Sequence, residues 1–233
     1  MAADILGRTE PEVPPDACVP ARLDGRRPAQ RADDFFARER ARWLQRCLDE
    51  LGERPTRAVT LGWDRGATNS ELFANLHIKS LVAIDVGAQR PHATHVRSAD
   101  GKATYVHVSE YRATESADLA YTSDVFDRIP PRERAAAAVL VYRSLASGGL
   151  FAVWQTNPWS PTARLTASGD GSRRSRAIAP PDARRLLRGV GFDIVHTTSA
   201  FFFPRWFTWV HPMESLLAPI PIGRQYMVLA RKP

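Results

Sequence analysis

The stretch Ala58–Asp85, AVTLGWDRGATNSELFANLHIKSLVAID, decides the fold. Ala58-Val59-Thr60-Leu61 reads as a short buried strand, and Gly62-Trp63-Asp64-Arg65-Gly66 as a tight turn. Thr68 with Glu71 fits a capping box for the helix that follows. Leu72, Phe73 and Leu76 give that helix one apolar face. Ser80–Asp85 is a second apolar strand, and it ends in an acid. Strand, glycine turn, helix, strand and terminal acid make one βαβ unit. In such a unit the turn amides and the helix N-terminus face a polar ligand, and the acid accepts hydrogen bonds from ribose hydroxyls. Asp85 follows Gly66 by 19 positions, against roughly 20 for a nucleotide-binding fingerprint.

Outward from this unit the chain keeps alternating. Before it, Arg31–Leu51 reads as a helix with Phe36, Trp43, Leu44, Cys47, Leu48 and Leu51 mainly on one face, closed by Gly52. After it, 86–102 is polar and reads as a solvated connection; its His92-x-x-His95 pair has no third ligand and is not read as a metal site. Thr104–Val108 and Asp118–Thr122 read as a third and a fourth strand. A helix opens at Pro130-Pro131, runs to about Leu145 and stops at Gly148-Gly149. Leu150–Trp154, LFAVW, is a continuous apolar run, as for a central strand covered on both faces. A helix from Pro180-Pro181 to about Gly189–Gly191, a strand at Phe192–Thr197 and a last strand at Gln225–Ala230 complete the pattern. Such alternation describes one α/β domain.

The 233 residues, 44% hydrophobic and 24% charged, are an ordinary globular composition. Residues 1–30 carry prolines at 11, 14, 15, 20 and 28 with few large apolar groups, which predicts a mobile tail ahead of a domain over 31–233. No apolar run approaches the roughly 20 residues of a membrane span, and no signal-peptide core is seen. Cys18 and Cys47 are too few and too far apart for a disulfide framework, which points to a reducing, cytoplasmic setting. The net charge is +7, and only Lys79, Lys102 and Lys232 of the 32 basic residues are lysine. The arginines are spread along the chain and form no aromatic-interleaved stripe, which argues against nucleic acid as the partner.

Four pieces in order resemble the class I S-adenosylmethionine-dependent methyltransferases, and more narrowly their small bacterial type 11 and type 12 members. They are TLGWDRGA with Asp85, DLAYTSDVFDRIPP, SLASGGLFAVWQTNPWSP, and PPDARRLLRGVGFDIV with QYMVLARKP. The resemblance covers about Arg31 to Pro233. It implies a Rossmann-like α/β fold: a seven-stranded sheet with the last strand antiparallel and helices on both faces. It implies S-adenosylmethionine as cofactor, a small-molecule acceptor and a monomer or homodimer. It places Gly62, Trp63, Asp64 and Gly66 beneath the methionine and ribose, and Asp85 on the ribose hydroxyls. Ser109, Glu110 and Tyr111 come near the adenine, and Thr122 and Ser123 on the methionine side. Asp124 is the candidate catalytic group, either a base or an orienting residue. Asn157 and Trp159, with the aromatic segment from Phe201 to Trp209, are the expected walls of an apolar acceptor pocket. Ala167–Ser175 is expected to be a mobile loop at its rim.

The family's acid-x-Gly-x-Gly-x-Gly pattern reads here Thr60-x-Gly62-x-Asp64-x-Gly66. Thr60 replaces the acid that helps hold the cofactor's ammonium. Asp64 replaces the middle glycine, where the missing Cβ lets backbone approach the ligand. Two readings of Asp64 stand: it takes over the ammonium, or it obstructs the site. The function expected is methyl transfer to a small molecule in bacterial secondary or cell-envelope metabolism. The alternative is a methyltransferase-like protein without methyl transfer, a cyclase, an isomerase or a non-catalytic subunit.

Overall fold

The computed structural model describes residues 28–62, 72, 75–86, 94–98, 101–161, 177–201 and 223–233. The expected tail up to residue 27, the capping box at Thr68, the loop Ala167–Ser175 and the aromatic segment beyond Phe201 lie outside these residues. The element order is α1 (Pro28–Leu51), β1 (Arg57–Leu61), β2 (Ser80–Asp85), β3 (Thr94–Ser98), β4 (Gly101–His107) and β5 (Ala117–Ser123). A 3-10 turn (Pro131–Glu133) leads into α2 (Arg134–Ser144), followed by β6 (Leu145–Thr156), α3 (Pro180–Val190), β7 (Asp193–Ala200) and β8 (Gln225–Arg231). Prolines open both α1 and α3, where a missing N–H leaves no bond unmade.

The strands form one sheet in the order β3-β4-β2-β1-β5-β6-β8-β7. β4, β2, β1, β5 and β6 are parallel, and β8 runs antiparallel between β6 and β7. This is the expected sheet of seven with the last strand antiparallel, widened by one edge strand. That strand, β3, corrects the reading of 86–102 as a solvated connection: Thr94–Ser98 pairs antiparallel with β4, and His95 sits opposite Thr104. An edge strand has one neighbour and need not be apolar, so its sequence carries little strand signal.

Both faces of the sheet are covered. On one, Leu44 and Leu48 of α1 meet Leu72, Leu119, Tyr121, Trp154 and Met227. On the other, Val141 of α2 and Leu187 of α3 meet Val59, Ile84, Phe151, Val153 and Val228. Trp154 is wholly buried at the centre, where truncation to alanine costs roughly 3–5 kcal/mol. Leu51, expected on the buried face of α1, is exposed. Gly148-Gly149 does not separate helix from strand as expected. It forms a bulge inside β6, where the partner in β5 jumps from Ala117 to Leu119. Gly148 has φ +79, and a Cβ on Gly149 would lie 2.9 Å from Ala146 O and 3.1 Å from Ala117 O. Only glycine fits there.

Candidate functional site

The strand order reverses between β1 and β5, since β2 and β4 lie to one side of β1 and β5, β6 and β8 to the other. A reversal of this kind opens a crevice at the carboxyl ends of the strands, where ligands of open α/β sheets bind. Gly62 sits at that point. Its N–H donates to Ile84 O at 2.8 Å, its φ is +95, and a Cβ there would collide with the Val125 side chain. Thr122 Oγ1, fully buried, donates to Leu61 O at 2.9 Å and closes β5 onto β1 beside it. Asp85 ends β2 half-buried, and its carbonyl accepts from Val108 N–H at 2.9 Å. That bond brings the turn after β4 alongside. Ser109 N–H donates to His107 Nδ1 at 3.2 Å and Ser109 Oγ lies 2.8 Å from the same nitrogen. Glu110 is exposed at the tip of the turn. Tyr111 turns away from this edge. It packs with the α2-side core, where burial raises its pKa against the opposing pull of a hydrogen bond with Ser144.

Thus Gly62, Asp85, Ser109, Glu110, Thr122 and Ser123 lie along one edge of the sheet, while Trp63, Asp64 and Gly66 fall outside the described residues. Thr60, in the position of the missing acid, is buried within β1 and opposite Tyr121.

Past the reversal the edge is a dense polar cluster built on Arg40 of α1. Its Nε donates to Gln225 Oε1 at 3.0 Å, its Nη1 to Ser123 Oγ, and its Nη2 to Asp124 Oδ2 at 2.9 Å. Asp124 Oδ1 accepts from Thr156 Oγ1 at 3.0 Å. Asp124 also takes a left-handed backbone, φ +53, and donates its N–H to Trp154 O at 2.9 Å. A non-glycine residue in that region is strained by about 1–3 kcal/mol, and here the strain aims the carboxylate back at the guanidinium. Asp124 is thus the anchor of α1 on the sheet, with both oxygens engaged. Sequence reasoning missed Arg40, Thr156 and Gln225. Arg40 stands in a run of charged residues, ARERAR, and its partners are 83 to 185 positions away.

The Asn157–Trp159 loop leaves the next strand end. Asn157 is fully buried; its Nδ2 donates to Gly223 O at 2.9 Å and its Oδ1 accepts from Trp159 N–H at 3.0 Å. Asn157 therefore holds the loop. Trp159 is 44% exposed, one of the two large hydrophobic residues on the surface among those described. Phe201 belongs to the core instead, edge-on to Phe36 at 5.0 Å and tilted against Trp154.

On the opposite face Asp127 is buried, and its Oδ1 accepts from Ile178 N–H at 3.2 Å. Burial first, and the charge of Asp124 second, push its pKa up to about 7. Tyr226 Oη donates to the carbonyl of the same Ile178 at 2.7 Å. Nearby in the register, Gln155 is fully buried with no hydrogen bond to either amide atom. Among the described residues, no group of three or more His, Cys, Asp and Glu could hold a metal ion, and no helix is long and apolar enough to cross a membrane.

Several solved structures with this architecture are named as methyltransferases. A methyltransferase dependent on S-adenosylmethionine from Archaeoglobus fulgidus superposes with a TM-score of 0.53 at 14% identity, over 82% of this chain and 94% of its own. The fold is that of the S-adenosylmethionine-dependent methyltransferases. A 1,6-didemethyltoxoflavin-N1-methyltransferase from Burkholderia thailandensis, solved with its substrate and S-adenosylhomocysteine, gives 0.54 at 18% identity over 88% of this chain and 83% of that one. A plantazolicin methyltransferase, solved with a triazolic desmethylPZN analogue and S-adenosylhomocysteine, gives 0.58 at 12% identity over 88% of this chain and 87% of that one. No family model matches the chain, and no curated protein is similar to it in sequence. The narrower likeness to type 11 and type 12 methyltransferases therefore rests on the four motifs.

Proposed function

We propose that this chain transfers a methyl group from S-adenosylmethionine to a small-molecule acceptor, in bacterial secondary or cell-envelope metabolism and in the cytoplasm. The observation that carries the reading is the set of groups at the strand reversal. Gly62, Asp85, the Ser109-Glu110 turn, Thr122 and Ser123 come from four different strand ends and share one edge. Their chemistry suits the cofactor. A carboxylate at Asp85 is an acceptor for the two ribose hydroxyls, and Gly62 takes the left-handed backbone, φ +95, where β1 ends. Thr60 is the misfit, because a buried hydroxyl replaces a carboxylate, and it predicts weak binding.

The cofactor, when bound, supplies the activated methyl group, so the protein's part is alignment and exclusion of water. Asp124 is held by Arg40, Thr156 and Gln225, so its role is positional. On this edge Asp124 is held by Arg40 and Glu110 is exposed to solvent, so the acceptor we propose is one that enters ionised or loses its proton easily.

Thr60 also favours the second reading, a methyltransferase-like protein that no longer transfers methyl. Calorimetric titration with S-adenosylhomocysteine separates the two. Binding in the micromolar to millimolar range supports transfer, and absence of heat at millimolar ligand ends it. Asp64→Asn should weaken binding if Asp64 has taken over the ammonium, and Asp64→Gly should strengthen it if Asp64 obstructs.

A further inference from the structure

Resting on that reading, we propose that the acceptor bears a carboxylate on a planar ring and that Arg224 takes the carboxylate. Two guanidiniums, Arg40 and Arg224, share the edge formed by the carboxyl ends of β5 and β6 and the amino end of antiparallel β8 with one carboxylate, Asp124, whose field reaches both. Arg40 claims that carboxylate through a direct ion pair at 2.9 Å. Arg224 forms no ion pair with a described residue; its guanidinium lies 5.2 Å from the centre of the Phe36 ring. It is half-buried, and burial above all holds its pKa below the ordinary arginine value. A guanidinium keeps its proton nonetheless, so a half-buried positive charge stands there with no ion pair among the described residues.

The backbone of Arg224 is fixed from both sides. Its N–H donates to Phe201 O at 3.2 Å, and its carbonyl accepts from Asn157 N–H at 2.9 Å. The same Asn157 side chain binds Gly223 O and Trp159 N–H. One buried asparagine thus locks an exposed indole and an unpaired guanidinium onto adjoining backbone. An indole offers a stacking face to a planar ring. A guanidinium fork matches a carboxylate through two parallel hydrogen bonds. Together they select an aromatic acid over a neutral ring.

The test is calorimetric titration of the full chain with benzoate and with its neutral isostere benzamide, repeated on Arg224→Gln and Arg224→Lys. The expected result is at least tenfold tighter binding of benzoate than of benzamide by the wild type. Arg224→Gln should remove that preference, and Arg224→Lys should keep the charge but lose several-fold through loss of the fork. Equal binding of the two probes by the wild type overturns the proposal, as does undiminished benzoate binding by Arg224→Gln. If Arg224→Gln fails to melt cooperatively, the lysine variant decides: undiminished benzoate affinity there contradicts the fork. S-adenosylhomocysteine titrated into the same samples tests the methyl-transfer reading separately. A benzoate preference without cofactor binding would leave the acid site standing and remove the transferase.

Discussion

Two arginine–aspartate pairs sit at opposite ends of one strand, β5, and do different work. At the amino end, Asp118 accepts from the N–H groups of Thr56 and Arg57, from Thr56 Oγ1, and from Arg57 Nη2 at 2.7 Å. Burial would raise its pKa, but those donors, Arg57 foremost, outweigh it and hold the carboxyl down at about 2. Every donor there comes from the neighbouring residues Thr56 and Arg57, the backbone is unstrained, and the pair simply staples β1 to β5. At the carboxyl end, Asp124 draws its partners from α1, β5, β6 and β8, sits at φ +53, and lies beside a second carboxyl, Asp127, pushed up to about 7. One pair relaxes its surroundings and the other concentrates strain and charge. That concentration lies where the strand order opens a crevice, which is the physical reason to place the site at this end.

The largest expected effect comes from breaking the carboxyl-end pair. Arg40→Met leaves Asp124, Ser123 and Gln225 without their shared donor. It should lower unfolding free energy by about 3 kcal/mol, somewhat less than a fully buried pair because Asp124 is partly exposed. Chemical denaturation measures this, and a loss comparable with that of an ordinary surface substitution would show that α1 is held by its apolar face alone.

The next contrast sharpens the comparison through pH. Asp127 is an acid with a raised folded pKa, so the folded protein binds its proton more tightly than the unfolded chain. Its contribution is intact below about pH 4 and is lost as pH rises through about 7. Asp127→Asn keeps the acceptor for Ile178 N–H and should gain about 2 kcal/mol at pH 8 with no gain at pH 4. Asp118 is depressed, so its contribution is present above about pH 4 and is lost as pH falls through about 2. Asp118→Asn should therefore cost about 1 kcal/mol near neutrality, discounted for solvent screening, and progressively less as pH falls towards 2. Melting curves across pH 2–8 that shift in the same direction for both variants would contradict this assignment.

The smallest effect is expected at the loop. Trp159→Ala should change stability by less than about 0.5 kcal/mol, as for a surface side chain, while weakening any ring-bearing ligand. A loss of several kcal/mol would make Trp159 a core residue and move the acceptor elsewhere.

The fold was legible because its signals are local. Periodicity places β1, β2 and β8, and prolines and glycines punctuate α2, β6 and α3. Two features escaped. Thr94–Ser98 is a polar edge strand whose only reason to form is its partner β4. The Gly148-Gly149 bulge depends on Ala117, 31 and 32 positions earlier, which no local pattern reveals. The site divides the same way. Gly62 and Asp85 stand out because a turn and a strand end mark them. Arg40, Gln225 and Arg224 acquire meaning only when α1 and β8 meet across the sheet. Asn157 shows the converse: a turn asparagine after a central strand reads as a ligand contact, and folding assigns both amide atoms to the backbone.

The central claim, that the strand reversal holds the cofactor, is tested most directly by titrating S-adenosylhomocysteine into the wild type and Asp85→Ala. Measurable binding by the wild type and at least a tenfold loss in a variant that still unfolds cooperatively are expected for a carboxylate that accepts from the ribose hydroxyls. Unchanged affinity in Asp85→Ala would contradict the placement of the site, and no binding by the wild type at millimolar ligand would contradict the function.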